Sequence, residues 1–405
     1  MARALFSAAG VEPTRQQVAS LARQIRGYEH GEHLPRDWTA AYAAAFGLDE
    51  NDLFGTAPDP DHDEERRHLL ACLGLLGVET ASYTEPLESI RQALTRALPG
   101  GLKGHLVQDW EEIAFEHGHA FLTTTPKDLL PDLAADLVAL LNTVQSATGG
   151  ALRGDLCAPV GKLAALMAMT VSALGQRRDA RDWWKTARRA ADASEDRDLR
   201  VWVRGYEAMN ALYSARPLSM VLRLSEDAIR IGGDRAGAAA LEAMAARAQA
   251  LSMMDGRTGE AVTAMRDLAD RWEQLPASTP DDRLATRAWP ETALHHTAAY
   301  TYTHTGDMAL AEQARASALA RYPASMRRQR AQIELLRATG MVRAGDVASG
   351  VEHAGRTVEG LAVAQRTATI QRGARMVLDA VPDADLARPA VRDYRDAFAL
   401  PAGED

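Results

Sequence analysis

The sequence is poor in cysteine and has no long apolar run. Only Cys72 and Cys157 occur, far apart and without metal-site spacing, so we expect neither a disulfide framework nor a cysteine-bound metal. The longest apolar run, residues 69–78, has about half of the roughly 18 residues that a membrane-spanning helix needs. The N-terminus also lacks the apolar core of a signal peptide. These absences predict a cytoplasmic protein that does not enter a membrane.

Aromatic residues are scarce and lysine is nearly absent. Aromatic side chains make up 5% of the 405 residues, whereas hydrophobic residues make up 46%, most of them alanine and leucine. Both are strong helix formers, and apolar residues recur at helical spacing, so we predict an all-α protein. The net charge of −9 argues against a surface that binds nucleic acid or membranes as a whole, although it permits a small basic face.

The chain is too long for one ordinary core, and its breaks predict several parts. The clearest break is the stretch 56–66, where two prolines and a run of acidic residues predict a solvated linker. Further breaks lie at 99–101, at 149–150 and at 276–282. The predicted parts are a head (1–55), the acidic linker (56–66), a helical connector with the first hairpins (67–149), a repeat region (150–380) and a tail with a short helix (381–405).

A pattern of small residues repeats along the second half of the chain. Its best window, Thr292–Pro323, has Ala299 in a first helix, Gly306-Asp307 at a turn, and Ala311 and Ala318 in a second helix. These offsets resemble the tetratricopeptide repeat, in which small residues lie where two helices cross. A glycine at the turn supplies the positive φ that ends the first helix.

Four further frames predict the same hairpin. In chain order they contain Ala168, Gly175, Ala180, Trp184 and Ala187; Trp202 to Ala228 with Arg216-Pro217 at the turn; Gly256 and Ala261; and Gly345-Asp346 with Gly350. The resemblance implies a tetratricopeptide-like solenoid whose first helices line a concave groove, a surface that binds peptides or protein segments. An irregular helical bundle is the alternative.

The head carries a second resemblance. Ile25, Tyr28, Glu29 and Gly31, followed by Pro35, resemble the recognition helix and following turn of the Cro/repressor-type (XRE) helix-turn-helix family. The whole architecture is similar to actinobacterial-type transcriptional regulators that join such a head to a tetratricopeptide array. The family places a glycine-containing turn before this helix, but the stretch 14–20 has no glycine or other turn signal. Either the first helices are shortened or the printed start lies inside the head.

The resemblance implies DNA contacts for the head. At the recognition helix, Arg23 and Gln24 would read base edges and Arg26 bases or phosphates, while Arg15, Gln16 and Arg36 would contact phosphates. The alternative is that these are ordinary solvated helix residues. Residues 1–55 hold five arginines against seven acidic residues, whereas DNA-binding heads are usually basic. A degenerate head that binds protein or only dimerises is therefore the second interpretation.

Residue patterns for catalysis or metal binding are missing. The histidines at 29–33, 62–68, 116–119 and 295–304 lack both zincin spacing and cysteine partners, so solvated or cross-linking histidines are favoured. No phosphate loop, dinucleotide fingerprint or nucleophile elbow occurs. We interpret Trp184 as core between helices rather than as a cofactor stack. The sequence thus predicts a binding protein without cofactor, not an enzyme.

The first-helix positions that face the groove in tetratricopeptide arrays select ten residues. They are Tyr206, Asn210, Tyr213, His296, Tyr300, Thr303, His304, Gln332, Thr339 and Arg343. Asn210 is costly in a helix, so it is a candidate for holding a peptide backbone, or else a neutral exposed substitution. The overall hypothesis is a homodimeric regulator that binds operator DNA and senses a peptide or small effector. The alternative is an adaptor or scaffold that binds no DNA.

Overall fold

The chain divides into two compact units, Met1–Glu85 and Pro86–Asp405. The computed structural model describes residues 103–147, 149–233, 237–276 and 288–398 of the second unit. In the first unit it describes only Leu5, Phe6, Thr14, Gln17, Val18, Leu21, Ile25, Trp38 and Ala41. The predictions for the acidic linker, for the connector before residue 103 and for residues 399–405 lie outside the described residues.

The described part of the chain contains fourteen α-helices and no strand, which confirms the predicted all-α class. They are α1 (Lys103–Thr123), α2 (Pro126–Ser146), α3 (Gly150–Ala173), α4 (Arg177–Ala193), α5 (Arg197–Tyr213), α6 (Leu218–Gly232), α7 (Leu241–Ser252), α8 (Thr258–Glu273), α9 (Glu291–Thr305), α10 (Met308–Arg321), α11 (Arg327–Arg343), α12 (Val347–Glu359), α13 (Ala368–Asp379) and α14 (Pro389–Ala397). Three short 3₁₀ turns, Ala238–Ala240, Val363–Gln365 and Asp383–Asp385, join some of them.

The described residues of the first unit form a small apolar core. Its buried members are Leu5, Phe6, Leu21, Ile25 and Ala41, with Val18 and Trp38 packed against them. The rings of Phe6 and Trp38 meet edge to face, with centroids 4.9 Å apart. Ile25, the apolar position of the helix-turn-helix resemblance, is therefore a core residue.

A helix start at Thr14 corrects the sequence analysis. The Gln17 N–H donates to Thr14 Oγ1 (3.3 Å), and the Thr14 N–H donates to Gln17 Oε1 (2.8 Å). This reciprocal pair is a capping box, which satisfies backbone donors that the first turn of a helix leaves open. The stretch 14–20 lacks glycine, but it begins with this helix-start signal.

Five helical hairpins, α3–α4, α5–α6, α7–α8, α9–α10 and α11–α12, follow one another in the second unit. From the second hairpin onward, the first helix packs against both helices of the preceding hairpin. This stacking buries an apolar face that one hairpin alone leaves exposed. The five hairpins coincide with the five frames that the sequence predicts. Their membership of the tetratricopeptide family stays a prediction.

The turn inside each hairpin needs a left-handed residue. Gly175, Gly256, Gly306 and Gly345 have φ values of +85°, +73°, +92° and +94°. In the hairpin whose turn has Arg216-Pro217 instead of glycine, Ala215 takes this conformation with φ of +56°. A left-handed alanine is strained by roughly 1–2 kcal/mol. The turn geometry is therefore retained even where the sequence lacks its usual residue.

Small residues let the two helices of a hairpin approach closely. Ala299, Ala311 and Ala318, the predicted crossing residues of the best window, have no exposed surface. At Gly350 on α12 an added Cβ would lie 2.6 Å from Val342 Cγ2 and 3.0 Å from the Ala338 oxygen. The predicted small residues therefore lie where their size is required.

The first helices of the hairpins, α3, α5, α7, α9 and α11, together with α13, form an inner layer. Each packs against the next, and α13 also packs against α3, so the layer closes on itself. Helix α11 also contacts α1, because Arg328 on α11 donates hydrogen bonds to the backbone oxygens of Phe121 and Thr124 at the end of α1. The second helices of the hairpins form an outer layer. The tail contributes the predicted short helix, α14, which packs against α12.

Helix α3 is more apolar than the sequence analysis anticipated. It is the one helix in the described residues with the length and mean hydropathy of a membrane span. However, 72% of its apolar window is buried inside the protein, against α1, α2, α4 and α5. Most of this apolar window therefore packs as core between helices.

Candidate functional site

Side chains from four inner-layer helices, α5, α9, α11 and α13, converge on one cleft. Its lining residues are Tyr213, His296, Tyr300, Gln332, Leu335, Leu336, Thr339, Thr369, Gly373 and Met376. Five of the ten predicted groove residues are among them: Tyr213, His296, Tyr300, Gln332 and Thr339. We call this site the inner cleft.

Helical periodicity places these residues on the inner cleft. His296 and Tyr300 on α9 are four residues apart, and Thr369, Gly373 and Met376 on α13 follow a spacing of four and three. Such spacings put side chains on one face of a helix. Because α9, α11 and α13 pack side by side, these faces meet at the same surface.

The inner cleft is narrow. Its volume is about 310 Å³ when the open mouth is included, but the centre of a water molecule can occupy only about 20 Å³ of it. That is room for about one water molecule. A ligand larger than a few atoms therefore requires the surrounding side chains to move apart.

Aromatic side chains close the cleft from within. The hydroxyl of Tyr213 lies 3.5 Å from His296 Nε2, and the rings of Tyr213 and Tyr300 meet edge to face at 6.0 Å. The Tyr300 hydroxyl donates to Met253 Sδ at 2.8 Å, and His296 Nδ1 lies 3.1 Å from the Tyr322 hydroxyl. These contacts join α5 and α9 to the ends of α7 and α10, so the space beside the cleft is filled by the protein's own side chains.

The polar groups that line the inner cleft are hydroxyl, amide and imidazole groups. No carboxylate belongs to the cleft lining in the part of the chain that the structure describes. Burial raises the pKa of Tyr300, against a smaller lowering by Arg372 and Arg343. Burial also lowers the pKa of His304, which stacks on Tyr300 at 4.3 Å, to about 4. Both rings are therefore uncharged at neutral pH.

The other predicted groove residues lie elsewhere, and two of them support the second hairpin. Asn210 Oδ1 accepts a hydrogen bond from Trp184 Nε1 at 3.1 Å, which uses the amide oxygen to join α5 to α4. Trp184 itself is 1% exposed, which confirms its interpretation as core between helices. Tyr206 is buried beside Trp202, with ring centroids 4.7 Å apart.

Three predicted residues form contacts at and beyond the end of α9. Thr303 is fully buried and accepts a hydrogen bond from Arg315 at 3.1 Å. Arg343 donates to the backbone oxygen of His304 at 2.8 Å, where it satisfies a carbonyl that the helix end leaves open. His304 Nδ1 lies 2.8 Å from the Tyr300 oxygen. None of these three lines the cleft.

Sequence reasoning missed half of the lining. The missed residues are Leu335, Leu336, Thr369, Gly373 and Met376. The repeat pattern does not select α13, because its last frame is the hairpin with Gly345 at its turn. A signal was nevertheless present, because an added Cβ at Gly373 would lie 3.0 Å from Leu335 Cδ1, and a glycine inside a helical pattern indicates such a close approach.

The six residues assigned to DNA lie outside the described residues. They are Arg15, Gln16, Arg23, Gln24, Arg26 and Arg36. Their assignment stays a prediction.

Three of the described histidines lie beside carboxylates. His117 lies 2.6 Å from Asp136, His353 2.8 Å from Glu334 and His295 3.1 Å from Glu291. Within the described residues, no group of three histidine, cysteine, aspartate or glutamate side chains could hold a metal ion. The clusters at 29–33 and 62–68 lie outside those residues.

Comparisons with protein-family models, with curated proteins and with solved structures gave no significant match. Function must therefore be inferred from the residues themselves.

Proposed function

We propose that the protein is a cytoplasmic transcriptional regulator whose first unit binds operator DNA and whose inner cleft binds an effector. The observation that carries the effector site is the convergence of five predicted groove residues on one cleft. They come from α5, α9 and α11, which are far apart in sequence. Convergence from distant segments is typical of ligand sites built between helices.

The cleft couples distant parts of the helical array. A ligand there touches helices from three hairpins and α13, so it favours one arrangement of these helices over others. If that arrangement differs in DNA affinity, the two binding events are linked, and each changes the affinity of the other by the same factor.

The size of the cleft favours a small effector over an extended peptide. Tyr213, His296 and Tyr300 fill much of the space at the inner cleft, which has room for about one water molecule. The walls supply leucine and methionine side chains, while Gln332 and Thr339 supply polar groups. A small molecule with an apolar body and one or two hydrogen-bonding groups matches this lining.

The DNA-binding half of the proposal rests on the helix-turn-helix resemblance of residues 25–35. It is supported by the burial of Ile25 in a helical core, as that resemblance requires of its apolar position. Helix-turn-helix proteins bind two half-sites as dimers, so we propose a homodimer.

The test is a mobility shift on DNA from upstream of the protein's own gene. We expect the wild type to bind, and Arg23→Ala/Arg26→Ala to lose about tenfold or more in affinity, because each base or phosphate contact contributes roughly 1–3 kcal/mol. The matched control is Arg392→Ala/Arg395→Ala, which removes two exposed arginines from α14. If the wild type fails to shift any duplex, the DNA-binding proposal is wrong. If both double variants behave alike, the assignment of DNA contacts to Arg23 and Arg26 is wrong.

A second candidate is an adaptor that binds a protein partner and no DNA. The observation that favours it is the net charge of −2 in residues 1–55, because phosphate neutralisation supplies much of the affinity for DNA. The two candidates separate in the same experiment, since an adaptor shifts no duplex at any salt concentration.

A further inference from the structure

A cluster of arginines lies at one edge of the helical array. Arg177, Arg178 and Arg181 lie at the start of α4, and Arg216 and Arg223 at the start of α6. Both starts follow the turn inside a hairpin, and the hairpins stack in the same direction, so the two starts lie at the same edge. We call these five residues the basic edge.

The arginines of the basic edge form no close ion pair, although the pKa of the neighbouring Asp182 is lowered by a hydrogen bond from Lys185 and by the charges of Arg178 and Arg181. In the described ranges 103–276 and 288–398, with their short gaps, none of the five forms an ion pair within 4.0 Å, and four of them are exposed. Elsewhere in the same array, arginines such as Arg204, Arg315 and Arg337 are paired with aspartate or glutamate. The protein has 55 acidic residues available for pairing. The absence of pairing at the basic edge therefore reflects its local arrangement.

These like charges act on one another. Arg216 is half-buried, and burial lowers the pKa of its guanidinium; Glu207 raises it, and the charges of Arg181, Arg188 and Arg223 lower it further. Glu207 is itself bound by Arg188, so it neutralises little of the cluster. An arrangement in which cations repel one another is relieved when an anion binds.

We propose that the basic edge contacts the phosphate backbone of double-stranded DNA. The proposal rests on the DNA-binding function proposed above and assigns phosphate contacts to it that the acidic first unit does not supply. The arginines are spread over the second helices of two successive hairpins and the turn before one of them, and they belong to separate segments of the chain. Arg223 lies within α6, whereas Arg216 lies two residues before the helix begins. Charges spread in this way fit a regularly charged polymer better than a single small anion.

The test is the salt dependence of binding of the full chain to a labelled duplex of about 30 base pairs. Each phosphate contact contributes about 0.9 to the slope of log affinity against log salt. We expect Arg181→Gln/Arg223→Gln to reduce the magnitude of the slope by about 1.8 and the affinity at about 100 mM KCl by at least about fivefold. Both side chains are exposed and unpaired, so the melting temperature should stay within a few degrees.

The control is Arg392→Gln/Arg395→Gln, which changes the net charge equally but lies on α14. If Arg181→Gln/Arg223→Gln has the same slope and affinity as this control, the proposal for the basic edge is overturned and the proposed function stays intact. A wild type that binds no duplex overturns both proposals. An edge variant with a reduced slope beside an unchanged Arg23→Ala/Arg26→Ala supports the edge and overturns the assignment of the head.

A second probe separates DNA from other polyanions. Vesicles of phosphatidylglycerol and phosphatidylcholine present phosphates at a membrane surface. If the edge variant loses vesicle binding and keeps duplex binding, the DNA proposal is overturned in favour of a lipid surface.

Discussion

The inner and outer layers of the helical array differ in how their helices are buried. On α3, in the inner layer, ten consecutive residues from Leu163 to Ser172 are buried. On α4, its outer partner, the buried residues recur every three or four positions. An outer helix therefore needs only one apolar face. An inner helix is surrounded by other helices, so its polar side chains are buried as well. The candidate ligand site lies in the layer under the stronger constraint.

The largest expected effect compares one substitution in the two layers. Leu251 on α7 is fully buried, whereas Leu310 on α10 is 40% exposed. Leu251→Ala should lower the free energy of unfolding by about 3–5 kcal/mol through lost burial and the cavity left behind. Leu310→Ala should change it by less than about 0.5 kcal/mol. Urea denaturation measures both, and equal losses would remove the distinction between the layers.

The next effect concerns the contact between the layers. Gly350→Ala should destabilise the protein by about 2–3 kcal/mol, because the new methyl group overlaps Val342 and the Ala338 oxygen. Gly154 on α3 has no atom within 4 Å of an added Cβ, so Gly154→Ala should stabilise by up to about 1 kcal/mol through helix propensity. Denaturation midpoints of the two variants should move in opposite directions; a shift of the same sign would contradict the close packing.

The inner layer also predicts a dependence on pH. The pKa of His304 is about 4 in the folded protein against 6.5 for the free group, so below pH 6.5 the unfolded state binds more protons. Stability is lost as pH falls through this window, by about 2 kcal/mol between about pH 7.5 and 5.

His304→Gln should be less stable at neutral pH but should lose about 2 kcal/mol less over that pH range. The control is His295→Gln, which removes an imidazole from the surface of the same helix. Urea denaturation at several pH values measures the slopes. If the free energy of unfolding of His304→Gln depends on pH as steeply as that of the wild type, a group other than His304 causes the pH dependence.

The smallest effect lies at the turns between the layers. Ala215→Gly should stabilise by about 1 kcal/mol, because it relieves a left-handed alanine, and Gly175→Ala should destabilise by about as much. Thermal denaturation reads both changes. If both variants are destabilised, the turn conformation at Ala215 is not the source of strain.

The sequence carries more information about the outer layer than about the inner one. The helical class, the five hairpins and the core position of Trp184 can be predicted from small residues and turn glycines. Each of these features is determined by residues close together in the sequence. Asn210 was assigned to the groove from its repeat position, but it bonds Trp184 across the hairpin. Which polar residue faces the cleft depends on how six helices close on one another, and no local pattern encodes that closure.

The central claim is that the inner cleft and DNA binding are coupled. It is tested most directly by the DNA affinity of Thr369→Leu, which adds side-chain volume to the lining of the cleft. The control is Thr357→Leu, the same change on α12 outside the cleft. Coupling predicts that Thr369→Leu alters the affinity for the upstream duplex by about fivefold or more, while Thr357→Leu leaves it unchanged. Identical affinities for wild type, Thr369→Leu and Thr357→Leu would contradict the account.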